Sequence, residues 1–175
     1  MCTGTIYIYG KSGRAVQISS SNEVVLYGDG YGAAAFDVVA CLASASVPAA
    51  LRPACISLMD ASRPDWYIRH RAGFLYVDPT SSPITPLLFN NDSSFIVHPH
   101  MSDPGSFTLE SVNYRQHYIT AQADGRLKIV ARENITDPQD ARFRVTDSTT
   151  PSTYPRTSVC LFCYDLLSPV TTSPK

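Results

Sequence analysis

One short phrase, written three times, limits the folds open to this chain more than any other feature. Small residues followed by Phe-x-Val occur as Ala34-Ala35-Phe36-Asp37-Val38, Ser93-Ser94-Phe95-Ile96-Val97 and Ala141-Arg142-Phe143-Arg144-Val145. The stretches ahead of the phrase line up as well. Leu58 precedes Tyr67 by the interval that separates Leu109 from Tyr118, and Gly73-Phe74-Leu75-Tyr76-Val77 corresponds to Gly125-Arg126-Leu127-Lys128-Ile129. The first stretch offers Ile6–Ile8, Ala15–Ile18, Val24–Leu26 and Phe36, with tighter turns. Self-similarity of this kind marks a unit that buries its apolar face only against copies of itself.

Within each unit the apolar positions alternate with period two in short runs, as at Ile6 and Ile8, Leu75 and Val77, and Leu127 and Ile129. Gly, Pro, Ser, Asn and Asp break the runs, which therefore read as strands joined by turns. Helical signals are nearly absent. The alanine-rich stretch from Ala40 to Leu51 is interrupted by serines and Pro48. Four strands per unit and three units predict an all-β chain: a β-trefoil of three four-stranded repeats with pseudo-threefold symmetry. Closing the units together buries their faces and leaves no free sheet edges, which a sandwich would retain. The repeated Phe is the core plug of each unit, each burial stabilising the fold by roughly 1.5–3 kcal/mol. The expected domain spans residues 1–167, with repeats at about 4–40, 55–98 and 106–147 and a closing strand at 158–167. Residues 168–175 form a Ser/Thr/Pro tail.

Charge narrows the function classes. Fourteen Lys and Arg stand against fifteen Asp and Glu, with no basic stripe to neutralise a row of phosphates, so nucleic-acid binding is not expected. No apolar run reaches the roughly 20 residues of a membrane helix. Residues Met1 to Gly10 lack the basic and apolar regions of a secretory signal, which favours the cytoplasm. The five cysteines, Cys2, Cys41, Cys55, Cys160 and Cys163, are odd in number and irregular in spacing, and read as mainly reduced, buried residues.

Motifs for chemistry are sparse. Cys160-Leu161-Phe162-Cys163 has no second pair to complete a zinc site. His98-Pro99-His100 reads as loop decoration. Gly10-Lys11-Ser12 lacks the earlier glycine of a phosphate loop, since Thr5 stands there. No nucleophile elbow or paired-carboxylate pattern suggests an enzyme, and no cofactor or metal is expected.

The second and third units carry more specific phrases: Tyr67-Ile68-Arg69-His70, Ser111-Val112-Asn113-Tyr114, and the Asp-x-x-Phe of Asp92–Phe95 and Asp140–Phe143. Together they resemble the arabinofuranose-binding trefoil module of α-L-arabinofuranosidases, the AbfB domain or carbohydrate-binding module family 42. The resemblance is close over residues 56–147 and faint over 5–39. It implies a non-catalytic sugar-binding domain in which a His and an Asp beside an aromatic ring hold the hydroxyls of arabinofuranose. Carried over, the second unit supplies His70, Asp92 and Tyr67. The third keeps Asp140 with Ala121 in place of the imidazole, and the first has Ile18 and Ala33 at those positions. A carboxylate accepts two adjacent hydroxyls while an imidazole adds a donor or acceptor, so one shallow site of this kind binds sugars weakly.

The residues also admit plainer readings. His70, in the run Arg69-His70-Arg71, is expected to be exposed at a strand end, Asp92 to make an Asx-turn, and Trp66 and Tyr67 to pack rather than stack. The partner is then a carbohydrate or, alternatively, a protein bound by an intracellular trefoil that has lost sugar binding. An inhibitor of hydrolases would rest on fold analogy alone.

Overall fold

A computed structural model describes residues 5–10, 13–28 and 32–146. It contains twelve strands in one sheet. They are β1 (Thr5–Tyr9), β2 (Ala15–Ile18), β3 (Val24–Tyr27), β4 (Ala35–Ala40), β5 (Cys55–Asp60), β6 (Trp66–Arg71), β7 (Phe74–Pro79), β8 (Phe95–Pro99), β9 (Ser106–Ser111), β10 (His117–Ala121), β11 (Leu127–Ala131) and β12 (Phe143–Thr146). Six of them close a ring. β1 pairs with β4, β4 with β5, β5 with β8, β8 with β9, β9 with β12, and β12 returns to β1.

The other six form the hairpins β2–β3, β6–β7 and β10–β11. The three hairpins meet through backbone bonds, from Val77 N to Asn22 O (2.8 Å), Leu26 N to Gly125 O (2.7 Å) and Ile129 N to Gly73 O (2.8 Å). Gly125 has to be glycine at this junction. Its φ is +86°, and a Cβ would stand 2.7 Å from the carbonyl oxygen of Leu26.

Alternation in sequence becomes alternation in burial. Ile6, Ile8, Leu75, Val77, Leu127 and Ile129 all point inward. Phe36, Phe95 and Phe143 are buried in one cluster with Leu58, Ile68, Leu109 and Ile119. Phe36 lies opposite Ile6, Phe95 opposite Ile56 and Phe143 opposite Phe107, so each plug faces an apolar residue of a ring strand.

Two expectations need correction. Among the described residues the chain has one α-helix, α1 (Pro86–Asp92), where the sequence carries almost no helical signal. Thr85 caps it, its hydroxyl accepting from Leu88 N, and Pro86 occupies the first turn, where the lost N–H costs nothing. The signal is short and lies among prolines and asparagines that also suit turns. Cys41 and Cys55 are not reduced but joined in a disulfide, with Cα atoms 5.3 Å apart. The β4–β5 register explains the pairing: Ala40 lies opposite Ile56, so the next pair outward is Cys41 and Cys55. Sequence spacing could not show that register. The intervening loop packs Ala43 and Val47 against Ile96 and Val112 in a second small apolar cluster. Cys2, Cys160, Cys163 and the expected closing strand at 158–167 lie outside the described residues. β1 is already paired by β12 along one edge and by β4 and β2 along the other.

Candidate functional site

Strand β6 brings Arg69 and His70 to the end of α1. The hairpin turns at Ala72 and Gly73, both with positive φ, and the exposed end of the strand is Arg71. His70 lies one residue further in, opposite Leu75, and is buried with 4% exposure, against the expectation of a solvated strand end. Asp92, the last residue of α1, is buried beside it, their side chains 3.6 Å apart. The sequence therefore named two residues that the fold does bring together.

Three further residues complete the cluster. Asn113 donates from Nδ2 to Asp92 Oδ1 (2.8 Å) and turns its Oδ1 to His70 Nε2 (2.9 Å). That orientation places the imidazole proton on Nε2 and leaves Nδ1 as an acceptor. Ser111 Oγ donates to Asn113 Oδ1 at 2.9 Å and lies 3.2 Å from His70 Nε2. Arg69 spans two carboxylates, with Nε on Asp78 (2.7 Å) and Nη1 on Asp92 (3.3 Å). Burial holds the His70 imidazole below its ordinary pKa, and Arg69 and His117 push the same way. The hydrogen bond with Asn113 and the charge of Asp92 oppose them.

The aromatic ring at this cluster is not Tyr67. Tyr67 is buried edge-on against Phe89 of α1, with ring centres 6.2 Å apart. Tyr114 lies edge-on to His70 at 5.2 Å and is 51% exposed, the accessible ring of the group. Asn113 and Tyr114 belong to the phrase Ser-Val-Asn-Tyr, so the signal was present in the sequence. What it lacked was the information that the β9–β10 turn folds against the end of α1.

Asp140 stands on a different element, the one-turn 3-10 helix Pro138–Ala141. Ala121, where an imidazole would complete a second pair, is buried on β10.

A second buried polar group was missed. Glu110 of β9 accepts from Arg115 Nε (2.7 Å) and Gln116 N (2.8 Å) on one oxygen, and its other oxygen lies 2.6 Å from His98 Nε2. Desolvation would raise the Glu110 pKa, but these bonds bring it below the usual carboxylate value. His98, expected to decorate a loop, is thus tied to a buried carboxylate. Among the described residues no group of three His, Cys, Asp or Glu side chains could hold a metal ion.

The closed ring of strands capped by hairpins is a β-trefoil architecture, and solved trefoil structures superpose on it. An arabinofuranosidase complexed with arabinofuranosyl-α-1,2-xylobiose matches with a TM-score of 0.64 and 17% identity, over 85% of this chain and 32% of that one. SeviL bound to asialo-GM1 saccharide matches with a TM-score of 0.57 and 10% identity, over 84% of this chain and 99% of that one. The BEL β-trefoil gives 0.56 and 12%, over 83% and 94%. The chain spans about a third of the arabinofuranosidase it matches, 32% by length. No curated protein matches. The model of the α-L-arabinofuranosidase B (AbfB) domain covers residues 2–146, and the chain belongs to that family. No helix of the described residues is long and apolar enough to cross a membrane.

Proposed function

We propose that this chain is a non-catalytic carbohydrate-binding domain that takes an arabinofuranose-type sugar at the cluster of His70, Asp92, Asn113 and Tyr114. The observation that carries the reading is the convergence of β6, the end of α1 and the β9–β10 turn on one carboxylate, one imidazole and one accessible ring. Family membership supports the sugar class, as do the saccharides bound in two structural neighbours, the arabinofuranosidase and SeviL. Asp92 offers acceptor lone pairs to adjacent hydroxyls, Nδ1 of His70 offers another, and the face of Tyr114 covers the C–H side of the ring. Tyr67 acts from behind, holding Phe89 and with it α1. The chain is read as three four-stranded repeats, of which the second supplies His70 and Asp92 to this site and the third adds Asn113 and Tyr114. Asp140 with Ala121 is the remnant of its counterpart in the third.

Titration with arabinofuranosyl oligosaccharides tests the site. Wild type should bind with a dissociation constant on the order of millimolar to micromolar. His70→Ala and Asp92→Ala should each weaken binding at least about tenfold, a loss of about 1.4 kcal/mol. Undiminished affinity in both variants removes the site.

A second reading, a trefoil that binds a protein and no longer a sugar, is favoured by one observation. His70 is buried and its Nε2 is already engaged by Asn113. On that reading no arabinofuranosyl ligand binds the wild type, and a stoichiometric protein partner does.

A further inference from the structure

On the other side of the hairpins, away from the core, lies a surface that the sugar reading does not use. Arg71 lies opposite Phe74 across β6–β7, and Phe74 lies opposite Lys128 across β7–β11. The three form a row across three strands: cation, ring, cation. Two interstrand steps put the backbones of Arg71 and Lys128 about 10 Å apart. Neighbouring rings fix the cations. The Arg71 guanidinium stands 4.0 Å over Tyr76, Arg126 stands 4.4 Å over Phe74, and Lys128 Nζ lies 5.5 Å from the Phe74 ring centre. Stacking of this kind holds a guanidinium flat and leaves its N–H edges outward.

The charges are unevenly matched. Arg126 is satisfied by Asp124 at 2.7 Å. The carboxylate near Arg71, Asp78, is 3.8 Å away and already holds Arg69 at 2.7 Å. Lys128 has no ion-pair partner among the described residues. Glu23, bridged to Tyr76 just ahead of β3, accepts a hydrogen bond from its hydroxyl at 3.4 Å. The row therefore has two cations with no close carboxylate of their own, on a chain whose net charge is −1. Arg71 remains half exposed.

We propose that this row binds an acidic polysaccharide, a chain bearing uronate carboxylates, at a site separate from the His70–Asp92 cluster. The complement of two cations about two strand spacings apart is a linear ligand with recurring carboxylates, each paired to a guanidinium or an ammonium. That the polyanion is a carbohydrate rests on the function proposed above.

The test is titration of the full chain with oligogalacturonate and with its carboxyl-reduced, neutral counterpart. The acidic oligomer should bind, and binding should weaken with added salt and fall at least tenfold in Arg71→Gln/Lys128→Gln. His70→Ala should leave it unchanged. Equal binding of the neutral oligomer, equal binding of polyglutamate, or an undiminished double variant each overturns the proposal. So does loss of binding in His70→Ala. Failure of the arabinofuranose site is read separately, from arabinofuranosyl titrations of His70→Ala, where the acidic oligomer is absent.

Discussion

Two buried carboxylates, Asp92 and Glu110, face similar surroundings and solve them differently. Glu110 is closed: both oxygens have short bonds, of 2.6 to 2.8 Å, to His98, Arg115 and Gln116 N. Asp92 is looser, with one short bond from Asn113 at 2.8 Å and longer approaches from Arg69 at 3.3 Å and His70 at 3.6 Å. Adjacent residues of one strand serve the two groups, since Glu110 precedes Ser111 on β9 and their side chains alternate sides. A carboxylate whose acceptor capacity is used up holds structure together. One with capacity to spare can hold a ligand.

Substitution separates the two roles. Glu110→Ala removes the partner of a backbone N–H, the Arg115 guanidinium and the His98 imidazole. Arg115 and His98 are partly exposed and can turn to water, which moderates the loss. The expected cost is about 2 kcal/mol of stability, seen in urea unfolding, with sugar affinity of the folded protein unchanged. A large affinity loss at matched folded fraction would erase the contrast. Asp92→Asn is the mirror case. Arg69 keeps its 2.7 Å bond to Asp78, so stability should fall by less than about 1 kcal/mol. Sugar affinity should fall about tenfold as the charge is lost, about 1.4 kcal/mol. Titration calorimetry and unfolding of the same sample report both numbers.

How much of this was legible in the sequence follows from what each signal encodes. Period-two patterning and the recurring Phe depend on local alternation and core burial, which a linear sequence records directly. His70 and Asp92 were legible as a pair because the motifs carry them. Their burial was not, because it depends on where the β6–β7 hairpin turns: at Ala72–Gly73, one residue beyond Arg71, rather than at His70. Asn113 and Tyr114 were visible as a phrase yet could not be assigned to the site, since their approach to α1 is a long-range contact. The Cys41–Cys55 disulfide was hidden for the same reason, as it follows from strand register and not from spacing. Glu110 left no trace at all, because an ionised residue in a strand reads as surface until its partners are known.

The smallest expected effect bears on whether the Asp92 cluster is open. Burial depresses the His70 pKa, so the folded protein prefers the neutral imidazole. In the unfolded chain the group titrates near the ordinary value of about 6.5. As pH falls through that value the unfolded state takes up a proton before the folded one does. The contribution of His70 is therefore complete above about pH 6.5 and is lost progressively below it, until the depressed folded value is passed. His100 is depressed too, by burial and then by Arg142, so the wild type alone does not isolate His70. The difference between wild type and His70→Gln does, and the variant should lose less stability on acidification. Sugar affinity in the same pH window decides the comparison. Protonating Nδ1 removes the acceptor that Asn113 leaves free, so a ligand held there should weaken together with stability. Affinity that stays flat while stability falls would place His70 with Glu110, as part of the frame.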